Sequence, residues 1–443
     1  MKTGFLLGYP IMLSQLGHTL VGVADSMMVG QLGATPLAAA SLANVVFHLV
    51  LTFGIGVSYA ITPIVASADG EGNKEKIVDA LRHGFLINII TGVILFIIIA
   101  SGGQLLHFMN QPEEVVTQAI PYLNIIALSI IPLMFFQTFR EFAEGLSLTR
   151  ISMVVVIASN VINIVLNYLL IYGKFGFPEL GLNGAGWASF ISRVIMALWM
   201  AAYIFYGFRT RIYRAGFAIG NYSKKLINKM LHIGIPAGMQ YIFEVSAFGF
   251  SAIMMGWLGT TALAAHQIAI NLATVSYMTT SGLAIAATIR VGNQLGRQDI
   301  PNLRLAAYSL LTLALIFMSA WAVLFIAGRN FLPTLYVADA EVFAVAAPLL
   351  IIAGLFQISD GTQVVCAGAL RGLQDVKIPS LMIFVAYWVI SLPLGYWFGF
   401  TLGYGANGIW MGLLIGLTIT ATAMFVRFAM LSKKLLRTSV TTE

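Results

Sequence analysis

Twelve stretches of about twenty apolar residues divide this chain, near residues 6–32, 37–67, 82–105, 116–140, 150–172, 184–207, 230–257, 262–290, 304–327, 342–369, 378–400 and 406–430. A helix needs roughly 20 such residues to cross a hydrocarbon layer of about 30 Å. Every backbone N–H and C=O in that layer must be bonded within the protein, which favours helices. The expected fold is an all-α membrane protein of twelve transmembrane helices. Composition agrees, since 59% of the 443 residues are hydrophobic and 9% charged, against about 25% charged in soluble domains. A soluble enzyme and a disordered chain are both excluded. The single cysteine, Cys366, forms no internal disulfide, no Cys/His spacing suggests zinc or haem, and no cofactor is expected. The first stretch is too long and too polar in its middle for a cleaved signal peptide.

Lys and Arg accumulate in cytoplasmic loops. Twenty of them fall in the even-numbered connections and at the two ends, against two, Lys174 and Arg329, in the odd-numbered ones. Both termini are therefore expected in the cytoplasm. Six bases lie in residues 208–229: Arg209, Arg211, Arg214, Lys224, Lys225 and Lys229. This segment reads as a basic cytoplasmic linker between an N-terminal six-helix lobe, 1–207, and a C-terminal one, 230–431, with a cytoplasmic tail at 432–443. The formal charge of +7 then reflects orientation and contact with anionic membrane lipid, so nucleic acid is not an expected partner.

Shifted by 226 residues, the chain lies over itself. Between Met28 and Ala39 eight of twelve positions match their counterparts from Met254 to Ala265, and the register continues through Gly56/Gly282, Thr62/Thr288, Val65/Val291 and Gly70/Gly296. Such a repeat is a six-helix unit duplicated in tandem. Six being even, both copies enter from the same side, and a pseudo-two-fold axis along the membrane normal is expected, with a cavity between lobes as in transporters. Prolines stand inside the spans at Pro10, Pro63, Pro132, Pro236, Pro348 and Pro393, each expected to kink or weaken its helix. Pro10 and Pro236 are repeat equivalents, which suggests a shared bend.

An ionised side chain at mid-membrane is costly and marks a site. Three acids qualify: Asp25, Glu244 and Asp360. At the repeat offset Asp25 faces Ser251 and Glu244 faces His18, so the lobes are expected to do different jobs. Asn163 and Asn167 share one face of the fifth span. With Asp25 they form a ligand set that suits a monovalent cation, or Asp25 serves as a proton carrier; alternatively the pair merely bonds between helices. In the second lobe, Gln240 and Glu244 are an i,i+4 pair, as are Gln267 and Asn271. Gln357, Asp360 and Gln363 recur at three-residue spacing, one turn after Phe356. Two acids near Phe243, Phe248, Tyr241 and Trp257 would suit an organic cation. Arg193 is either a counter-ion for an acid or part of a structural pair. Arg140, Glu141 and Glu144 read as snorkelling or locally paired. The intramembrane histidines, among them His18, His48 and His266, read as buried neutral groups rather than a proton relay. GEGNK at 70–74 and GNQLGRQD at 292–299 lack the ending of a phosphate loop, and no nucleophile or metal constellation marks an enzyme.

ADSMMVGQLG from Ala24, AHQIAIN from Ala265 and SDGTQVVCAGALRGLQD from Ser359 resemble the multidrug and toxic compound extrusion (MATE) family, in its bacterial NorM-like branch. The resemblance covers essentially the whole chain. It implies a secondary antiporter of the bacterial inner membrane, a monomer, which exports cationic, lipophilic small molecules while Na+ or H+ enters, with Na+ somewhat favoured. It also implies an N-lobe cation site at Asp25, Asn163, Asn167 and Ser189, and a C-lobe cation and substrate site at Glu244 and Asp360. Under sodium coupling Asp25, Glu244 and Asp360 would ligate the metal ion. Some relatives carry Tyr where this chain has Phe356, so one hydroxyl is missing there. The competing reading is a lipid-linked-intermediate flippase of a related superfamily, which should line its cavity with several bases, whereas here only Arg193 qualifies.

Overall fold

Two prolines, Pro63 and Pro132, lie just past breaks in long helices. The computed structural model describes all residues except 110, 218, 219, 221, 338 and 441–443; parts of the expected linker and tail therefore lie outside the described residues. Among the described residues the regular structure is helical, in the order α1 (Lys2–Gly30), α2 (Ala34–Ser58), α3 (Ile61–Gly70), α4 (Lys74–Gly102), α5 (Glu113–Leu128), α6 (Ile130–Gly145), α7 (Thr149–Tyr172) and α8 (Leu182–Tyr206). After a short turn at Arg211–Phe217 follow α9 (Lys224–Trp257), α10 (Thr260–Gly296), α11 (Ile300–Ala327), α12 (Ala340–Gly372), α13 (Lys377–Phe384), α14 (Leu392–Tyr396) and α15 (Gly405–Val440). Pro63 has no N–H to offer the carbonyl of Tyr59, and its ring clashes there, so α2 stops and α3 restarts. Pro132 does the same to Leu128, separating α5 from α6. In the second half Ile289 stands where Pro63 would, and α10 runs unbroken. Pro10, Pro236 and Pro348 remain inside continuous helices. Pro393 opens α14, between two π-helical stretches at Val385–Ser391 and Trp397–Thr401.

Counting α2 with α3, α5 with α6, and α13 with α14, the helices make the twelve expected rods. Among the described residues, ten are long and apolar enough to cross a membrane. The other two are α1 and α9, equivalent in the repeat, where Gln15, His18 and Asp25, and Gln240 and Glu244, dilute the apolar content. Both of these rods carry acids.

By contacts the chain forms one unit from Leu13–Gly238 and another from Met1–Met12 with Met239–Glu443. Each boundary falls two residues past an equivalent helix proline, Pro10 or Pro236. The duplicated register shows within each unit. The α1–α2 turn needs Gly33 at φ 122°, and the α9–α10 turn needs Gly259 at φ 116°, backbone that only glycine adopts readily. Asn73 caps α4 by accepting the Lys76 N–H, and Asp299, its equivalent, caps α11 by accepting the Asn302 N–H at 3.1 Å. In the first unit α6 lies so close to α3 that a Cβ on Gly145 would stand 2.7 Å from Val65 Cβ. In the other, a Cβ on Gly372 would stand 2.8 Å from Val291 Cβ. Cys366 is buried, as expected.

The linker is docked where it is described. Arg82 donates to the Ala215 carbonyl at 3.1 Å, the Ser223 N–H donates to His83 Nε2 at 2.8 Å, and Tyr213 packs edge-on against Phe142.

Candidate functional site

In the unit Leu13–Gly238 a chain of hydrogen bonds runs from α1 to α8 through α7. Asn167 Nδ2 donates to Asp25 Oδ1 at 2.5 Å and to Asn163 Oδ1 at 3.2 Å. Asn163 Nδ2 donates to Ser192 Oγ at 3.3 Å, and that hydroxyl donates to the Ser189 carbonyl at 3.0 Å. The i,i+4 spacing of the two Asn residues puts both amides in one line, and both are buried. Asn167 Oδ1 is buried with no hydrogen-bond partner, so the amide next to Asp25 retains an unused acceptor. Ser189 enters through its backbone carbonyl, one step further from Asp25 than its hydroxyl was expected to be.

Arg193 also lies in this unit, within electrostatic reach of Asp25. Its guanidinium donates to Ser129 Oγ, at the α5–α6 break, and lies over the Phe47 ring 4.9 Å from its centroid. Among the described residues no carboxylate is within ion-pair distance of it. The α5–α6 break thus supplies the hydroxyl that holds this cation in place. Arg140 and Glu144 pair at 2.7 Å, as one of the two sequence readings had it, but with side chains only 7% and 0% exposed they do not snorkel. The close approach of α3 buries them, and Thr62 Oγ1 donates to Glu141 Oε2 at 2.6 Å.

In the other unit Gln363 Nε2 donates to Glu244 Oε1 at 3.2 Å, and Tyr387 OH donates to Gln363 Oε1 at 3.3 Å. Asp360, one turn before Gln363 on α12, is 5% exposed and within electrostatic reach of Glu244 and Tyr387. Phe356 is buried between Phe248 and Trp410, with ring centroids 6.1 and 5.9 Å away. Gln357 accepts from Ser276 Oγ and so braces α12 against α10. Gln240 is buried near Glu244 along α9. Gln267 and Asn271 bond to each other at 3.2 Å on an exposed face of α10. Phe248 packs against Tyr387, whereas Trp257 is 57% exposed, edge-on to Phe250 and tilted against Phe400. His266 accepts from Trp410 Nε1 at 3.1 Å, a buried histidine serving one bond.

Sequence reasoning missed Ser192, Tyr387 and Trp410. Ser192 had a usable signal, lying one turn beyond Ser189 on the same span. Tyr387 lies on a π-helical stretch, whose altered register no 3.6-residue pattern anticipates.

The MatE family model matches residues 10–169 and 236–397, once in each half of the chain. The chain belongs to the MATE family. Relatives place it in the NorM-like branch. Multidrug resistance protein NorM of Photobacterium profundum is 36% identical over 427 residues, covering 95% of this chain and 93% of that protein. Multidrug resistance protein MdtK of Yersinia pseudotuberculosis serotype O:1b is 34% identical over 438 residues, covering 97% and 95%. In fold, the chain matches a crystal structure of MATE in the bent conformation with a TM-score of 0.91 at 21% identity, covering 99% of this chain and 97% of that one. It also matches an outward-facing multidrug resistance MATE transporter, with a TM-score of 0.89 at 22% identity and coverage of 98% and 96%. Asp25, Glu244 and Asp360 all fall inside the two MATE-matching segments.

Proposed function

We propose that this chain is a multidrug efflux transporter of the bacterial inner membrane, working as a monomer with both termini and the 208–229 linker in the cytoplasm. It exports cationic, lipophilic small molecules by alternating access while a coupling ion, Na+ or H+, enters. The observation that carries this reading is the pair of polar clusters, one per unit, each centred on acid side chains in an otherwise apolar helix bundle. An acid in hydrocarbon is retained where it binds a cation.

The clusters differ in a way that suits a division of labour. Asp25 accepts from the Asn167 amide, and the unpartnered Asn167 Oδ1 offers an extra oxygen, a donor set that fits a hard monovalent ion. This favours Na+ at Asp25, with Asn163 and Asn167 as further ligands and Ser189 through its carbonyl. Glu244 and Asp360 lie among Phe248, Phe356 and Tyr387, where charge and ring faces together suit an organic cation. Exchange follows when ion and drug favour opposite-facing states, since each can shift the equilibrium only by its differential affinity.

The test is dye export by everted vesicles under an imposed Na+ gradient and, separately, an imposed pH gradient. Cationic dye should move under one or both. If neither gradient drives transport in vesicles that contain the folded protein, the reading is wrong.

A further inference from the structure

The polar line on α7 does not stop at Asn163. Ser159 lies one turn below it and Ser152 two turns below Ser159, and the three lie within about 40° of one another around the helix at ~100° per residue. Ser152 and Ser159 are 1% and 3% exposed, and both hydroxyls are buried without a hydrogen-bond partner. The amide nitrogen of Asn160, on the flank of the same face, is likewise buried and unpartnered. An ideal Cβ on Gly17 of α1 would stand 3.0 Å from it.

Helical Ser and Thr usually return their proton to a carbonyl three or four residues back, as Ser101, Thr117, Ser246 and Thr274 do here. Ser152 and Ser159 do not. A buried hydroxyl left without a partner costs on the order of 1–3 kcal/mol. Four such atoms, those of Ser152, Ser159, Asn160 and Asn167, collect on one face of a single helix. Their disposition is that of groups that bond to water or a passing ion. From Asn167 to Ser152 is 15 residues, about 22 Å at 1.5 Å per residue, most of a hydrocarbon layer of roughly 30 Å.

We infer that this face of α7 is a hydrated file along which the coupling cation passes between Asp25 and the membrane face bearing the basic linker, with Asn163, Ser159, Asn160 and Ser152 as successive resting points. Val155, fully buried, lies about 60° around the helix from Ser152 at ~100° per residue, beside the file rather than in it. The inference rests on Asp25 as the ion acceptor, but hydration of the file can be tested independently.

The experiment places single cysteines at positions 152, 155 and 159 of the full chain with Cys366→Ser, and treats everted vesicles with 2-aminoethyl methanethiosulfonate, which reacts with hydrated thiolate. Ser152→Cys and Ser159→Cys should be modified at least ten times faster than Val155→Cys. If both react no faster than Val155→Cys, there is no file. A second arm compares Ser159→Val, expected to slow gradient-driven dye export at least fivefold, with Ser159→Thr, which keeps the hydroxyl and should restore most of the rate. Equal rates for the two, with both proteins folded, overturn the role in conduction. Asp25→Asn in the same vesicles separates the two ideas. Wild-type export by that variant sinks the Asp25 reading, whereas unreactive cysteines sink only the file.

Discussion

Replacing Asn167 by Leu should harm transport far more than replacing Asn163 by Leu, although the two amides are four residues apart on one helix. Asn167 makes a charge-assisted bond to Asp25 at 2.5 Å and a neutral one to Asn163 at 3.2 Å. The first is worth about 1.5–3 kcal/mol when Asp25 is ionised. The second is worth about 0.6 kcal/mol, by the standard of neutral bonds inside membrane bundles. Asn163→Leu loses two neutral bonds, to Asn167 and Ser192, or roughly 1 kcal/mol at that same value. At 1.4 kcal/mol per factor of ten, Asn167→Leu should cost about 30-fold or more in ion-driven export and Asn163→Leu about fivefold. The assay is initial dye efflux from proteoliposomes at matched protein content, with gel filtration to verify folding. Equal losses in the two variants, or a larger one for Asn163→Leu, would refute the idea that effect follows proximity to Asp25.

Other outcomes follow from the same structure. Asp360→Asn and Glu244→Gln should each cut dye efflux at least tenfold; unchanged rates in both would remove the second cluster from the mechanism. Arg140→Met leaves Glu144 buried without its partner and should destabilise the solubilised protein by about 3–5 kcal/mol, with Arg140→Met/Glu144→Leu recovering most of it. Thermal unfolding checks both. At the tip of α11 the side-chain amide and backbone N–H of Asn302 hold the Asp299 carboxyl below its ordinary value. A lowered folded-state value means the cap stabilises above the unfolded-state value of about 3.9 and loses that contribution as pH falls through the folded one. Asp299→Ala should therefore cost about 1 kcal/mol near pH 6, with the gap to wild type narrowing as the Asp299 carboxyl is protonated in acid.

The twelve rods were legible because each is a predominantly apolar run, and the three acids because charge inside such runs is rare. Proline positions were legible too, but their outcomes were not. Pro63 and Pro132 split their rods, whereas Pro10, Pro236 and Pro348 stay within continuous helices. The Asn163–Asn167 line could be read from its spacing. Its extension to Ser192, and the Tyr387–Gln363–Glu244 bridge, join residues from 24 to 119 positions apart in sequence, which no local periodicity encodes. Gln267 and Asn271 have the same i,i+4 spacing as Gln240 and Glu244, and they bond to each other on an exposed face of α10.

Coupling between drug and ion is the central claim, and it can be read from one vesicle. Proteoliposomes loaded with a cationic dye and placed in dye-free buffer, with Na+ and pH initially equal on both sides, should take up Na+ or H+ as dye leaves, and Asp25→Asn should abolish that uptake. Dye exit with no ion movement in the wild type, or undiminished ion uptake in Asp25→Asn, would contradict the account.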